Sequence, residues 1–166
     1  MAARVLVAYA SKLGSTAEIA ETIAQVLRDG GHEAMAMPAR DVPTLSGWDA
    51  VVLGSALYSA FWQRDARRFV ERFREELKAR PLWLFSGGPL DHRLAKIDQP
   101  ITPDGAQLTE GLGARAHRTF GGRLRPDADI PAQVKQTHRF GDFRDWRKIV
   151  EYGYRIGREL DRMSFP

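Results

Sequence analysis

A short apolar run, Val5-Leu6-Val7-Ala8-Tyr9-Ala10, breaks at Ser11 into a loop of small and hydroxyl residues and opens at once onto helical spacing. No other feature of the sequence restricts the fold as much. The run lacks a clean alternation, as expected of a strand covered on both faces in a parallel sheet. Ile19, Ala20, Ile23, Val26 and Leu27 then recur at helix spacing. Ser11, Lys12, Leu13, Gly14, Ser15 and Thr16 therefore form the turn whose backbone N–H groups and helix dipole point at whatever lies above the strand. An anion suits that place.

Two readings of the turn compete. Ser15-Thr16-Ala17-Glu18 has the form of a capping box, in which the Ser15 hydroxyl accepts from the Glu18 N–H and the Glu18 carboxylate accepts from the Ser15 N–H. A cap does not require Ser11, Gly14 and Thr16 as well, whereas phosphate oxygens need several donors and a close backbone. The clustering favours a phosphate. The loop has neither the Gly-x-Gly-x-x-Gly of dinucleotide folds nor the Gly-Lys-Ser/Thr of nucleoside triphosphatases, so NAD and ATP are not the first expectation.

The remaining chain alternates in the same way. A second strand is predicted from His32 to Met37 after a helix stop at Gly30-Gly31, a third from Ala50 to Ser55, a fourth from Leu82 to Ser86 and a fifth from Ala116 to Phe120. Phe69, Val70, Phe73 and Leu77 mark a helix starting near Ala66 and ending before Pro81. Thr102-Pro103 begins a short helix. Asp142 is the predicted cap of a closing helix with Trp146, Ile149, Val150, Gly153 and Leu160 on its core face, and Met163 to Pro166 should fray. Leu90 to Ile101 and Gly121 to Gly141 read as long loops. Alternation without repeats in 166 residues implies a single α/β domain, a three-layer sandwich on a parallel sheet.

Composition narrows the chemistry. The absence of cysteine excludes disulfides, thiolate nucleophiles and Cys-ligated metals, so redox work needs a borrowed cofactor. Met1 to Arg4 runs straight into the first strand, which leaves no room for a signal peptide, and no stretch approaches a membrane span, so a cytoplasmic protein is expected. The net charge of +4 is mixed along helices, with Arg67 and Glu71 or Arg72 and Glu76 at i,i+4 spacing, and no basic module appears, so nucleic acid is not an expected partner. His32, His92, His117 and His138 show no metal spacing, and Asp91-His92 reads as an ordinary loop pair.

Two further loops belong beside the first, at the strand ends where open α/β sheets bind ligands. One is Ser55 to Gln63, whose Tyr58, Phe61 and Trp62 either pack the next helix or face a flat ligand. The other is Ser86 to His92, in which Gly87-Gly88 permits close backbone approach.

Tyr9-Ala10-Ser11-Lys12-Leu13-Gly14-Ser15-Thr16, followed by Ile19-Ala20, resembles the flavodoxin phosphate loop of pattern Ser/Thr-x-x-Gly-Asn/Ser-Thr. The likeness continues through Asp49 to Trp62 and Leu82 to Leu90. Phe120-Gly121-Gly122-Arg123-Leu124 with the closing helix resembles the flavodoxin-domain group that includes menaquinone-dependent protoporphyrinogen oxidase. The resemblance implies a flavodoxin-like five-stranded sheet in the order 2-1-3-4-5 and FMN as cofactor. It places the phosphate on Ser11, Lys12, Leu13, Gly14, Ser15 and Thr16, and the isoalloxazine against Ala56, Leu57, Tyr58, Ser86, Gly87 and Gly88, with Trp62 as an outer wall. Lys12 either pairs with the phosphate or points to solvent.

An FMN-dependent oxidoreductase acting on a small molecule, quinone- or porphyrinogen-related, is the resulting expectation. A flavodoxin-type carrier serving a redox partner protein is the alternative, and a flavin-free interaction domain the second. Ala56 to Ala60 lacks glycine, and Arg115, Arg118, Arg123 and Arg125 cluster around the fifth strand, which favours electrons moving in pairs. Gly122 to Gly141 is polar and interrupted by proline, so firm membrane docking is not expected.

Overall fold

The computed structural model describes residues 2–88, 97–137 and 140–166, without the side chains of 134, 135 and 137. Pro89 to Lys96, with Asp91 and His92, and also His138, lie outside the described residues. The apolar run forms β1 (Arg4–Ala10) and the periodic segment after it forms α1 (Ser15–Asp29). The chain returns as β2 (Glu33–Pro38), turns through a 3₁₀ segment (Ala39–Asp41) and enters β3 (Ala50–Tyr58). Next come β4 (Phe61–Trp62), α2 (Arg64–Lys78), β5 (Leu82–Gly87), α3 (Pro103–Leu108) and β6 (His117–Phe120). The closing part holds β7 (Arg123–Leu124), α4 (Ala132–Thr137), β8 (Gly141–Asp142) and α5 (Trp146–Asp161).

Five strands pair in parallel in the order β2-β1-β3-β5-β6, which is the expected 2-1-3-4-5 counted by the five predicted strands. Val5, Val7, Val52, Trp83 and Phe85 point to one face and pack under α1 and α5 with Ile19, Ile23, Ile149 and Ile156. Leu6, Ala8, Val51, Leu53 and Leu84 point to the other and pack against α2 with Phe69, Val70 and Leu77. The central strands β1, β3 and β5 are thus apolar on both sides, which is why alternation is missing from their sequences.

Several expectations need correction. β3 runs three residues beyond Ser55 because Leu57 and Tyr58 pair antiparallel with Trp62 and Phe61. The turn between them puts Ser59 and Ala60 at φ 50° and 67°, a hairpin geometry usually announced by Asn-Gly. The segment 121–141 contains two strands and a helix, and β7 pairs antiparallel with β8. α5 is capped by Asp145, whose carboxylate accepts from the Lys148 N–H at 3.3 Å, while Asp142 pairs with Arg144. Trp146 is 38% exposed under the Arg144 guanidinium, and Tyr152 and Ile156 complete the core face in its place. The tail does not fray, since Phe165 is buried in the core and Met163 packs against it. The helix charges also pair elsewhere: Arg67 binds Asp104, and Arg72 donates to the Val42 and Pro43 carbonyls.

Candidate functional site

The helix α1 begins without a capping box. Its N-cap is Gly14 at φ 89°, a left-handed conformation in which any side chain is strained, and no side chain caps the turn. Ser11 tightens the loop from the other side, its Oγ accepting from the Gly14 N–H at 3.0 Å. Glu18 turns away from Ser15 to two arginines, Arg123 at 3.0 Å and Arg144 at 2.8 Å. The first turn of α1 therefore keeps donors for something other than its own side chains. The Thr16 hydroxyl is fully buried and has no hydrogen-bond partner among the described residues.

Above this turn lies a cleft of about 110 Å³. One wall is the phosphate-type loop, with Lys12, Leu13 and Ser15. A second is the end of β3 and its hairpin, with Ala56, Leu57 and Tyr58 and the unforeseen Ser59 and Gln63. The end of β5 supplies Gly87 and Gly88. A Cβ built on Gly87 would come within 2.7 Å of the Thr16 hydroxyl, so only glycine lets β5 and α1 close to this degree. Ser11 stays out of the cleft and borders a separate hollow with Tyr9 and Arg40. Gly14 is also absent from the cleft lining and borders that same hollow.

Two proposed contacts fall elsewhere. Trp62 is not an outer wall: it is 2% exposed, and its indole N–H donates to Ser86 Oγ at 3.2 Å. Ser86 is buried beneath the cleft, where its Oγ also lies 2.8 Å from His117 Nε2. The short β4 strand turns Trp62 inward while leaving Phe61 57% exposed, a consequence of strand alternation. Burial, and secondarily the Arg118 charge, lower the His117 pKa to about 4, so the imidazole is neutral near pH 7.

The fourth wall escaped sequence reasoning. Gly122, Arg123, Leu124 and Ile130 close the cleft from the segment after β6. Arg123 stands 3.8 Å from where a Gly14 Cβ would be, beside the start of α1. Arg144, with a side chain 3% exposed, holds this wall by donating to Glu18, to Asp142 and to the Ser15 carbonyl. Its bonds pull the carboxyls of Glu18 and Asp142 below the usual carboxylate range and raise its own pKa. The sequence signals were the Phe120–Leu124 motif and the arginine cluster around the fifth strand, and neither indicated that Arg123 faces the cleft.

Lys12 is exposed at the cleft mouth. Its Nζ lies 3.9 Å from the centre of the Tyr58 ring, a cation–π contact across the cleft mouth. A flat ligand stacking on that face exchanges a contact of about 1 kcal/mol for ring stacking and releases the ammonium.

A sequence profile of the flavodoxin domain matches residues 6–128. The chain belongs to the flavodoxin-domain family. No curated protein matches it in sequence. The fold is similar to that of rubredoxin oxygen:oxidoreductase from Desulfovibrio gigas, with a TM-score of 0.64 and 15% identity over 95% of this chain and 36% of that one. The flavodoxin of Streptococcus pneumoniae TIGR4 superposes at a TM-score of 0.58 and 16% identity, covering 96% of this chain and 98% of its own. A flavodoxin from the domain Archaea gives 0.59 and 14%, covering 96% and 99%. The chain thus matches whole flavodoxins but about a third of the oxidoreductase.

Flavodoxin domains bind FMN, which is therefore the cofactor of this family's fold. The residues present fit such a group. An unpaired buried hydroxyl, an uncapped helix start and an adjacent arginine suit a phosphate, while the glycine-lined gap faced by Tyr58 suits a flat ring. Among the described residues no helix is long and apolar enough to cross a membrane, and no group of His, Cys, Asp or Glu is placed to hold a metal ion.

Proposed function

We propose that this chain is an FMN-dependent oxidoreductase that exchanges electron pairs with a small-molecule substrate. The observation that carries the reading is the convergence of the uncapped α1 start, Gly87-Gly88, Tyr58 and Arg123 on one cleft. The first turn of α1, with Ser15, Thr16 and Arg123, would hold the phosphate, and Ala56, Leu57, Tyr58, Gly87 and Gly88 would enclose the ring. Bound FMN supplies the redox chemistry itself; the protein orients it, excludes water and sets its potential. Lys12 and Arg123 make the surroundings cationic, which favours a fully reduced, anionic flavin and so transfer in pairs. A quinone- or porphyrinogen-related substrate and a cytoplasmic location accord with the sequence resemblance to the menaquinone-dependent protoporphyrinogen oxidase group.

The near-complete coverage of single-domain flavodoxins favours a second reading, a carrier serving a redox partner protein. Two measurements on the full chain separate the readings. A yellow chromophore that survives desalting after FMN addition supports both, and its absence leaves only a flavin-free interaction domain. Coulometric titration of the FMN complex should then give a single two-electron step; two well-separated one-electron steps would favour the carrier.

A further inference from the structure

β6 also borders a second and larger cavity, about 370 Å³, two residues before it delivers Gly122 to the cleft. Its lining is unlike that of the cleft. Arg118 enters from β6, and Lys148, Arg155 and Arg158 enter from α5, against the carboxylates of Asp98 and Glu151. Phe120 and Tyr152, buried in the core, form an aromatic floor.

The sequence sets these charges along one helix. Positions 148, 151, 155 and 158 recur at i, i+3, i+7 and i+10, a single stripe of α5 beside the buried stripe of Ile149, Tyr152, Ile156 and Leu160. The charged stripe borders the sheet edge, with Lys148 and Arg155 half-buried and Glu151 and Arg158 exposed. Its one carboxylate, Glu151, is drawn to Arg147 at 3.4 Å. Arg155 pairs with Glu159 at 3.7 Å, but Arg118 and Arg158 meet no carboxylate within ion-pair distance among the described residues. Clustered cations without partners repel one another, so the arrangement costs stability unless an anion joins it.

We propose that this cavity binds a small organic polyanion, a molecule with two or more carboxylate or phosphate groups for the arginines and an apolar part for Phe120 and Tyr152. The volume falls within the range of about 300 to 1,000 Å³ typical of small-molecule sites. The concave shape with an aromatic floor suits such a molecule better than the flat surface of an acidic protein. The site does not depend on flavin binding, and β6 connects it to the cleft, because the Gly88 N–H donates to the Phe120 carbonyl at 2.8 Å.

Citrate and benzene-1,3,5-tricarboxylate serve as probes, titrated calorimetrically into the full chain at low salt with and without FMN. Saturable 1:1 binding of at least one probe is expected, weakened at least tenfold in the Arg118→Ala/Arg158→Ala double variant. FMN uptake should stay close to wild type in that variant, and the thermal midpoint should not fall, since two repelling cations are removed. A milder Arg118→Gln/Arg158→Gln pair should show the same loss if the alanine form is poorly folded. Failure of both probes to saturate, or equal binding by folded variants, overturns the proposal. Competition by FMN would place the anion in the cleft and also overturn it. Binding of polyglutamate without either small probe would overturn it in favour of an acidic protein surface.

Discussion

The two long walls of the cleft are built by different physics. The Ser11–Thr16 wall is local: the strand, loop and helix that make it are contiguous, and its shape follows from the left-handed Gly14 and the Ser11 Oγ bond to the Gly14 N–H. The Gly122–Leu124 wall is assembled at a distance, held by β7 pairing with β8 and by Arg144 reaching Glu18 and the Ser15 carbonyl. One wall therefore offers donors fixed by backbone geometry, and the other offers a charge fixed by ion pairs. Ligand specificity should divide along the same line, with hydrogen-bond direction set by the first and ionic-strength dependence by the second.

Three experiments break or sharpen this division. Replacing both Ser15 and Thr16 with alanine removes hydroxyl bonds to a charged group, each worth about 1.5 to 3 kcal/mol, so FMN affinity should fall roughly 100- to 10,000-fold while riboflavin affinity changes little. Flavin fluorescence quenching measures both, and equal losses would mean that the local wall recognises the ring rather than the phosphate.

Acidification tests the floor that both walls share. His117 has its pKa held at about 4 in the fold and near 6.5 in the unfolded chain, so between these values only the unfolded chain takes up the proton and stability falls as pH falls. Urea midpoints should drop by an amount worth about 1.5 kcal/mol between pH 6.5 and 5, and His117→Asn should flatten that slope. The preference for FMN over riboflavin should be the same at pH 6.5 and 5, since His117 bonds Ser86 and lines neither wall. The smallest effect belongs to the distant wall alone: Arg123→Gln should weaken FMN about tenfold at low salt and much less at 0.5 M salt. A salt-independent loss would mean that Arg123 acts by packing.

The same division explains what could be read from the sequence. The strand, the loop and α1 are specified by neighbours in the chain, and hydrophobic spacing located all five parallel strands to within a few residues. The hairpin after β3 was hidden because Ser59 and Ala60 adopt left-handed backbone without the glycine or asparagine that normally announces it. Trp62 was misplaced because a two-residue strand decides its direction, and its partner for the indole N–H, Ser86, is contributed by β5. Asp142 and Asp145 are both plausible caps three residues apart, and only the demand of Arg144 for a carboxylate separates them. Arg123 and Arg144 carried no local signal for closing the cleft, since the contact that does so for each is Glu18, more than a hundred positions away.

That separation also sets when the cleft can exist. Glu18 and Arg144 lie 126 positions apart, so closing the contact requires the chain between them to be organised first. During synthesis the local wall, with β1 and α1, leaves the ribosome before its counterpart and waits for it. A nascent chain stopped before residue 144 has the phosphate-type loop but not the arginine clamp. The two walls can therefore act together only once residue 144 has been made and the chain between them has folded.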